Sequence, residues 1–524
     1  MIVMNRSPQK LPIGIQGFES LRNDGYLYVD KTRQIYELIN TGRYYFLSRP
    51  RRFGKSLLIS TIRCYYEGKR ELFDGLYIGT QEHEWKKHPV LFLDLNTEKY
   101  DSPESLTNVL NEMLTKWESL YGREEAEVGL GRRFQGVIQR AHELTGQRTV
   151  ILVDEYDKPM LQAIGNPELQ AEYRAMLKSF YGALKSMDEH IKFAMLTGVT
   201  KFGKVSVFSD LNSLNDISMW DKYYDICGIN EQEMLQYFSD HIALLAESCG
   251  LSRDECVGRL RDNYDGYHFL PSVPGLYNPF SLLITFAKRE FGDYWFETGT
   301  PTYLVTLLRA HDYNLEQMAN SVTDADVLNC VDADSSNPLP VIYQSGYLTI
   351  KGYDPEFKLY TLGFPNKEVE QGFMKFLVPF YSGIDRTQSS FAVSQFVRDV
   401  ESGEVDAFLN RLKSFFADTP YELVKNTENH YQNVLYIISR LAGFYVKAEY
   451  HTSQGRIDMV LQTVKHTYVM EFKLNGTAEE ALQQIKDKQY DQPYRADCGR
   501  DLILIGLNFS ATTRNIDRYV VEVV

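Results

Sequence analysis

The chain has 524 residues, of which 44% are hydrophobic, 13% aromatic and 24% charged. That length exceeds one ordinary domain, and the composition is that of a globular protein rather than a disordered one. A net charge of −14 argues against a protein that coats nucleic acid with its whole surface, but distant charges are screened from one another, so a local basic groove stays open.

Six scattered cysteines (Cys64, Cys227, Cys249, Cys256, Cys330 and Cys498) form no C-x-x-C pair and read as reduced thiols. The first ten residues lack the apolar core of a signal peptide, and no apolar run reaches the length of a membrane span. The expectation is a cytoplasmic protein with no membrane partner.

In chain order, residues 44–48 read as an apolar-aromatic strand, 49–54 as a tight loop and 55–66 as a helix, with Leu57, Leu58 and Ile62 at helical spacing. Residues 90–95, 149–153 and 191–197 are further strands, and 103–121 is helical. Strands separated by helices predict a mostly parallel α/β sheet. Residues 231–247 and 253–264 read as helices, and Asn278-Pro279 and Gly299-Thr300-Pro301 as turns. Beyond 302, helices lead to short strands at 341–343, 347–350 and 358–362, which suggests a winged-helix-like module. The chain is then helical to 416. A long amphipathic helix at 428–442, a strand pair, a helix and a closing strand at 501–507 complete it. The fold class is α/β multidomain: a P-loop domain over 1–220, a helical region over 221–300, a winged-helix-like module over 301–383 and a separate α/β unit over 384–524.

Phe53-Gly54-Lys55-Ser56 follows a strand and opens a helix. A P-loop wraps phosphates with consecutive backbone N–H groups at a helix N-terminus, while a Lys reaches the β and γ phosphates and the next hydroxyl ligates Mg²⁺. Arg49 stands where the first glycine of such a loop is usual. The strand ending in Asp154-Glu155 strengthens the reading, because ligands gather at strand ends of parallel sheets. Asp154 would hold Mg²⁺, and Glu155 would orient and deprotonate water. An extra strand at 90–95, between the P-loop strand and the acidic strand, is the mark of additional-strand ATPases, which include the AAA proteins. Thr197, at the next strand end, is either a γ-phosphate sensor or an ordinary strand residue. Arg49, Arg51 and Arg52 either stabilise phosphate charge or form a basic loop that is solvated or contacts another domain. Lys201 and Lys204 are weaker candidates. The nucleotide set is thus Arg51, Arg52, Phe53, Gly54, Lys55, Ser56, Leu57, Asp154 and Thr197, with Ser56 and Asp154 on the metal.

These segments resemble the predicted AAA-ATPase-like family of bacterial proteins. The resemblance rests on Tyr28-Val29-Asp30-Lys31-Thr32, the loop from Ser48 to Ser56, Val153-Asp154-Glu155-Tyr156-Asp157 and Leu196-Thr197-Gly198-Val199. Phe208-Ser209-Asp210-Leu211-Asn212 and Asn278-Pro279-Phe280-Ser281 also match. It runs from about residue 11 to about 370 and makes Arg49 a family feature.

Toward the C-terminus, residues i and i+2 of a strand share a face, so Glu471 and Lys473 project together. Asp458 begins a neighbouring strand, and a turn at 463–466 would pair the two. Two acids can hold Mg²⁺ beside a scissile phosphate, with a Lys to steer water; a solvated strand face is the plain alternative. The pattern resembles the PD-(D/E)xK nuclease superfamily over about 427–508 and implies a restriction-endonuclease-like domain. There Asp458, Glu471 and Lys473 would be catalytic, with Glu428 a further metal-binding acid and Gln484 and Lys488 polar positions on the next helix. The expectation is an ATP- and Mg²⁺-dependent ATPase joined to a nuclease acting on nucleic acid, foremost DNA, in a mobile-element or defence setting, with room for a homo-oligomer. The rival is a nucleotide-dependent switch whose C-terminal domain only binds a partner.

Overall fold

The run TVILVD is apolar on both faces, which a strand tolerates only when both sides of its sheet are covered. In the computed structural model it is the buried strand β3. The residues described are 8–201, 214–297, 304, 308, 314–329, 337–382, 384, 386–417, 427–443, 447–450, 458–495 and 499–524. β1 (Tyr44–Ser48), β2 (Val90–Asp94), β3 (Thr149–Asp154), β4 (Ile191–Gly198) and β5 (Asn215–Asp216) form one all-parallel sheet in the order β2-β3-β4-β1-β5. Its helices include Lys55–Tyr66, Pro103–Tyr121 and Leu130–Thr145. The strand order keeps the expected additional strand between the P-loop strand and the acidic strand, but that strand is β4; the segment around 90–95, β2, lies on the outer side of β3. Chain order says which strand comes next, whereas crossover connections decide which strand it lies beside.

Contacts divide the chain into two compact units: Met1–Thr298 with Ser321–Glu368, and Gly299–Asn320 with Val369–Val524. The third boundary between them, after Glu368, lies inside the helix Lys367–Tyr381.

In the first unit, the helix expected over 231–247 is two, Glu231–Tyr237 and Ser239–Cys249, because the backbone turns at Phe238 (φ −114°, ψ 18°). Met234, Phe238, Ile242 and Leu245 then enter one core. Residues 341–343 are helical, within Leu339–Gln344, and not a strand. A short, fully buried apolar run shows no periodicity by which to tell the two apart. A three-stranded antiparallel sheet follows from β6 (Val322–Thr323), β7 (Thr349–Asp354) and β8 (Leu359–Gly363), in the order β6-β8-β7.

The second unit carries a five-stranded sheet of β9 (Lys447–Tyr450), β10 (Met459–Gln462), β11 (His466–Leu474), β12 (Asp501–Ser510) and β13 (Asn515–Val523), ordered β13-β12-β11-β10-β9. β11 and β12 are parallel, and the other pairs antiparallel. β9 and β13 have no counterpart in the sequence reading. The helix Ala478–Asp487 starts on a reciprocal cap between Thr477 and Glu480 and buries Ala481, Leu482 and Ile485. Among the described residues no helix is long and apolar enough to cross a membrane.

That helix lies so close to β12 that a Cβ on Gly506 would collide with the Ala478 carbonyl and the Leu482 N–H. Gly506→Ala is therefore expected to cost about 1–3 kcal/mol, read as a lower thermal midpoint by circular dichroism. Gly258, inside the helix Arg253–Tyr264, has open space at its Cβ. Gly258→Ala should leave stability unchanged or raise it by up to about 1 kcal/mol.

Candidate functional site

The loop leaving β1 is fixed at its base. Ser48 Oγ donates to the Val199 carbonyl at 2.6 Å, and Arg49 N–H donates to the Gly198 carbonyl at 3.1 Å. Arg49 itself is 1% exposed. Its guanidinium donates to the carbonyls of Ser48 at 2.9 Å, Ser218 at 2.8 Å and Tyr224 at 3.1 Å, and lies 4.0 Å over the Phe269 ring. Burial lowers its pKa to about 10. Of the two roles left open by the sequence, Arg49 takes the structural one: it ties the base of the loop to residues 218–224.

The loop then bends through left-handed backbone at Arg52 (φ 67°) and Gly54 (φ 94°). Gly54 meets no atom within 4 Å where a Cβ would stand, so the loop is open on that side. Arg52 places its guanidinium 4.9 Å over Phe280. Phe53 is buried against Tyr267 and Phe269 at 4.8 and 5.6 Å, and its carbonyl accepts from Gly228 N–H at 3.0 Å. Phe53 spends its side chain on anchoring the loop, while Arg52 is exposed; both can offer a phosphate their backbone N–H.

Lys55 opens the helix and is 3% exposed. Its Nζ donates to the carbonyls of Arg49 at 3.1 Å and Pro50 at 3.2 Å and lies 3.4 Å from Glu155 Oε1. Ser56 hydrogen-bonds to the carboxylate of Asp154, which also accepts from Thr197 Oγ1 at 2.6 Å and from Glu155 N–H at 3.1 Å. Burial, and then the Glu155 charge, raise the Asp154 pKa; the bonds from Ser56 and Thr197 oppose the rise. Glu155 has left-handed backbone (φ 54°). Lys55, Ser56, Asp154, Glu155 and Thr197 therefore converge at one edge of the sheet. A buried ammonium within the loop, and a buried acid joined to a hydroxyl, fit a triphosphate with its Mg²⁺.

Leu57 lines a cavity of about 100 Å³ beside Gly54, whose walls include Leu27, Ile35 and Ile229. Lys31, paired with Glu233 at 2.6 Å, and Cys227 supply its polar margin.

Two neighbours, Asp157 and Lys158, had no role in the sequence reading. Asp157, fully buried, accepts from the N–H groups of Val199 and Thr200 and from Thr200 Oγ1, so it pins the turn after β4. Lys158 Nζ donates to Asn96 Oδ1, just beyond β2, where Asp94 is abreast of Asp154. An acid two residues after an acidic strand end was the one available signal. Lys201 pairs with Asp216 at 2.9 Å. Lys204 and the 208–212 motif lie outside the described residues.

In the C-terminal unit the hairpin β10–β11 pairs Met459 with Met470, which brings Asp458 beside Glu471. Asp458 Oδ2 accepts from Phe472 N–H at 2.9 Å. Gln484 donates to Glu471 Oε1 and accepts from Lys473 Nζ, so one amide bridges acid and cation. Lys473 Nζ stands 3.8 Å from Glu471 Oε1; Lys473 is 31% exposed and Glu471 4%. Burial pushes the Asp458 carboxyl up to about 6. Burial, and then the charge of Asp458, push Glu471 up to about 8. Glu471 Oε2 is buried without a conventional donor, and Asp458 reaches it only if the pair shares a proton. Two buried hard oxygens competing for one cation or proton fit Mg²⁺. Tyr490, buried nearby, senses both acids and was not foreseen. Lys488 is exposed at the end of the helix. Glu428 belongs to the helix Thr427–Ala442, but its side chain lies outside the described residues. Among those residues no three His, Cys, Asp or Glu side chains form a metal cluster.

The role of Arg49 has a direct consequence. Arg49→Gly restores the usual glycine yet removes three buried hydrogen bonds. Calorimetry should show a loss of about 2–5 kcal/mol, and titration with nucleotide should show no gain in affinity.

The chain matches the family model "Predicted AAA-ATPase" over residues 12–208 and the model "PD-(D/E)XK nuclease superfamily" over residues 426–519. It is 38% identical over 532 residues to the "Uncharacterized protein in vnfD 5'region" of Azotobacter chroococcum mcd 1, a match that spans 98% of this chain and 99% of that one. With the parallel sheet and its P-loop at one end and the acid–amide–lysine cluster at the other, the chain belongs to the predicted AAA-ATPase family and carries a C-terminal domain of the PD-(D/E)XK nuclease superfamily.

Proposed function

We propose that the chain binds and hydrolyses ATP in its first unit and cleaves phosphodiester bonds, foremost of DNA, in its second. The observation that carries the reading is Asp154, which touches both Ser56 and Thr197 at the end of β3 while Lys55 faces Glu155. Lys55 would neutralise the β and γ phosphates, and loop N–H groups from Arg51 to Ser56 would cradle them. The base would occupy the cavity beside Gly54 and Leu57. Ser56 and Asp154 would hold Mg²⁺, which supplies charge neutralisation when bound. Glu155 accepts the proton of the attacking water. Thr197, committed to Asp154, reads the phosphate through that acid.

In the second unit Asp458 and Glu471, with Glu428 as a further ligand, would hold Mg²⁺, and Lys473, aimed by Gln484, orients water or the scissile phosphate. The module containing β6–β8 is read as winged-helix-like. Its exposed Phe357 and Tyr353 offer rings on which bases can stack. A cytoplasmic setting in mobile-element processing or defence, with copies assembling on nucleotide, completes the proposal.

Two experiments test it. Glu155→Gln should keep ATP affinity and lower turnover by about 100-fold or more, while Lys55→Ala should abolish binding; unchanged turnover in both sinks the ATPase reading. Plasmid incubated with Mg²⁺ or Mn²⁺, with and without ATP, should be nicked by the native chain and not by Glu471→Ala or Lys473→Ala. The rival switch predicts no cutting of any nucleic acid.

The raised carboxyls also set a pH dependence. Metal binding displaces their proton, so Mn²⁺ affinity should rise between about pH 6 and 8. In the metal-free chain these acids bind more protons folded than unfolded. Their contribution to stability is full below the unfolded carboxyl range and is lost as pH rises through about 6 to 8. Thermal melts should therefore show stabilisation by Mn²⁺ that is larger at pH 8 than at pH 6, and none in Glu471→Ala.

A further inference from the structure

Trp295 sits at a junction. Its indole Nε1 donates to the carbonyl of Arg51, inside the nucleotide loop, at 3.3 Å. Its backbone N–H donates to Glu368 Oε1 at 2.8 Å, and Ser281 Oγ donates to the same oxygen at 2.9 Å. The backbone N–H of Tyr294 reaches Glu368 as well. Glu368 is 2% exposed, and its Oε2 finds no hydrogen-bond partner among the described residues. A buried carboxyl with one oxygen unsatisfied is expensive, and burial holds it neutral up to about 8. The cost falls at a telling place. Glu368 is in the first turn of the helix Lys367–Tyr381, and from Val369 onward that helix belongs to the second unit.

The other end of the chain of contacts is a rigid lever. The peptide joining Arg51 to Arg52 is planar and trans. Its carbonyl is held by Trp295, and the Arg52 N–H points the opposite way within the same plane. A loop N–H that turns to meet a phosphate must turn the Arg51 carbonyl with it. Arg52 also grips Phe280, the neighbour of Ser281, so the loop holds this segment at two points.

We infer that Trp295, Ser281 and Glu368 form a relay that reports the nucleotide state of the loop to the helix running into the nuclease unit. Trp295 and Ser281 are positioning residues: they touch no phosphate, and they set the start of the helix. The inference rests on the nucleotide-binding reading and deepens it, by naming how the second site is regulated.

Hydrogen exchange read by mass spectrometry on the full chain, with and without Mg²⁺ and a non-hydrolysable ATP analogue, tests it. In the native chain, peptides of the loop and of residues 369–381 should both change exchange rate on nucleotide addition, the latter by about fivefold or more. Trp295→Phe keeps the ring and removes the indole N–H. In that variant the loop response should persist and the 369–381 response should vanish. Ser281→Ala, which leaves Trp295 intact, should reduce it and serves if Trp295→Phe does not fold. A 369–381 response equal in native and variant chains overturns the relay, as does a native chain whose loop responds while 369–381 does not. A loop that does not respond at all overturns the nucleotide reading, and the relay with it.

Discussion

The N-terminal site depends on parallel strands that end level with one another. Ser48 is abreast of Gly198, Asp94 of Asp154, and Val153 of Leu196. This register makes the loop after β1, the acids after β3 and the hydroxyl at the end of β4 emerge at one edge. At that end Lys55 and Asp154 are buried, 3% and 4% exposed. Burial raises the pKa of Asp154, and the hydrogen bonds from Ser56 and Thr197 and the nearby Lys55 charge oppose that rise. The geometry that gathers the groups is also the geometry that desolvates them.

The second site solves the same electrostatic problem by another route. An antiparallel hairpin, not a parallel edge, sets Asp458 beside Glu471. In the first unit an internal cation lies close to its acid, with Lys55 3.4 Å from Glu155. In the second, Lys473 is held at 3.8 Å and an amide stands between. Glu155 is neutralised within the chain, whereas the Asp458–Glu471 pair keeps an unmet demand for positive charge.

Local signals carried most of what was legible. Strands bounded by turns, Gly54-Lys55-Ser56 after an apolar run, Asp154-Glu155 at a strand end, and the i, i+2 spacing of Glu471 and Lys473 all act over a few residues, so they show in the sequence. What depends on long-range packing did not show. The insertion of β4 between β1 and β3, the helix in place of a strand at 341–343, and the strands β9 and β13 are decided by neighbours far along the chain. The choice between phosphate contact and chain contact for Arg49 stays open until its carbonyl partners from residues 218–224 are known. Lys158 with Asn96, and Trp295 with Glu368, are pairs whose partners lie 62 and 73 residues apart, and no spacing rule connects them.

Strain marks where distant packing and local chemistry meet. Arg52 and Glu155 both carry left-handed backbone, a conformation that disfavours residues with a Cβ by about 1–2 kcal/mol. Such outliers persist only where the surroundings over-determine them. Glu155 is held because Asp154 accepts its N–H, Tyr156 N–H reaches the Thr197 carbonyl, and Lys158 N–H reaches the Glu155 carbonyl. Arg52 is held by Phe280 and by the bond from Trp295 to the preceding carbonyl. These are two of the eight described non-glycine residues with left-handed backbone, and the contacts that hold them come from residues 154–158, 197 and 280–295. The nucleotide loop is thus shaped by the helical segment that follows the sheet as much as by its own sequence, which is why a loop with arginine in place of its first glycine can still take the conformation that the chemistry needs.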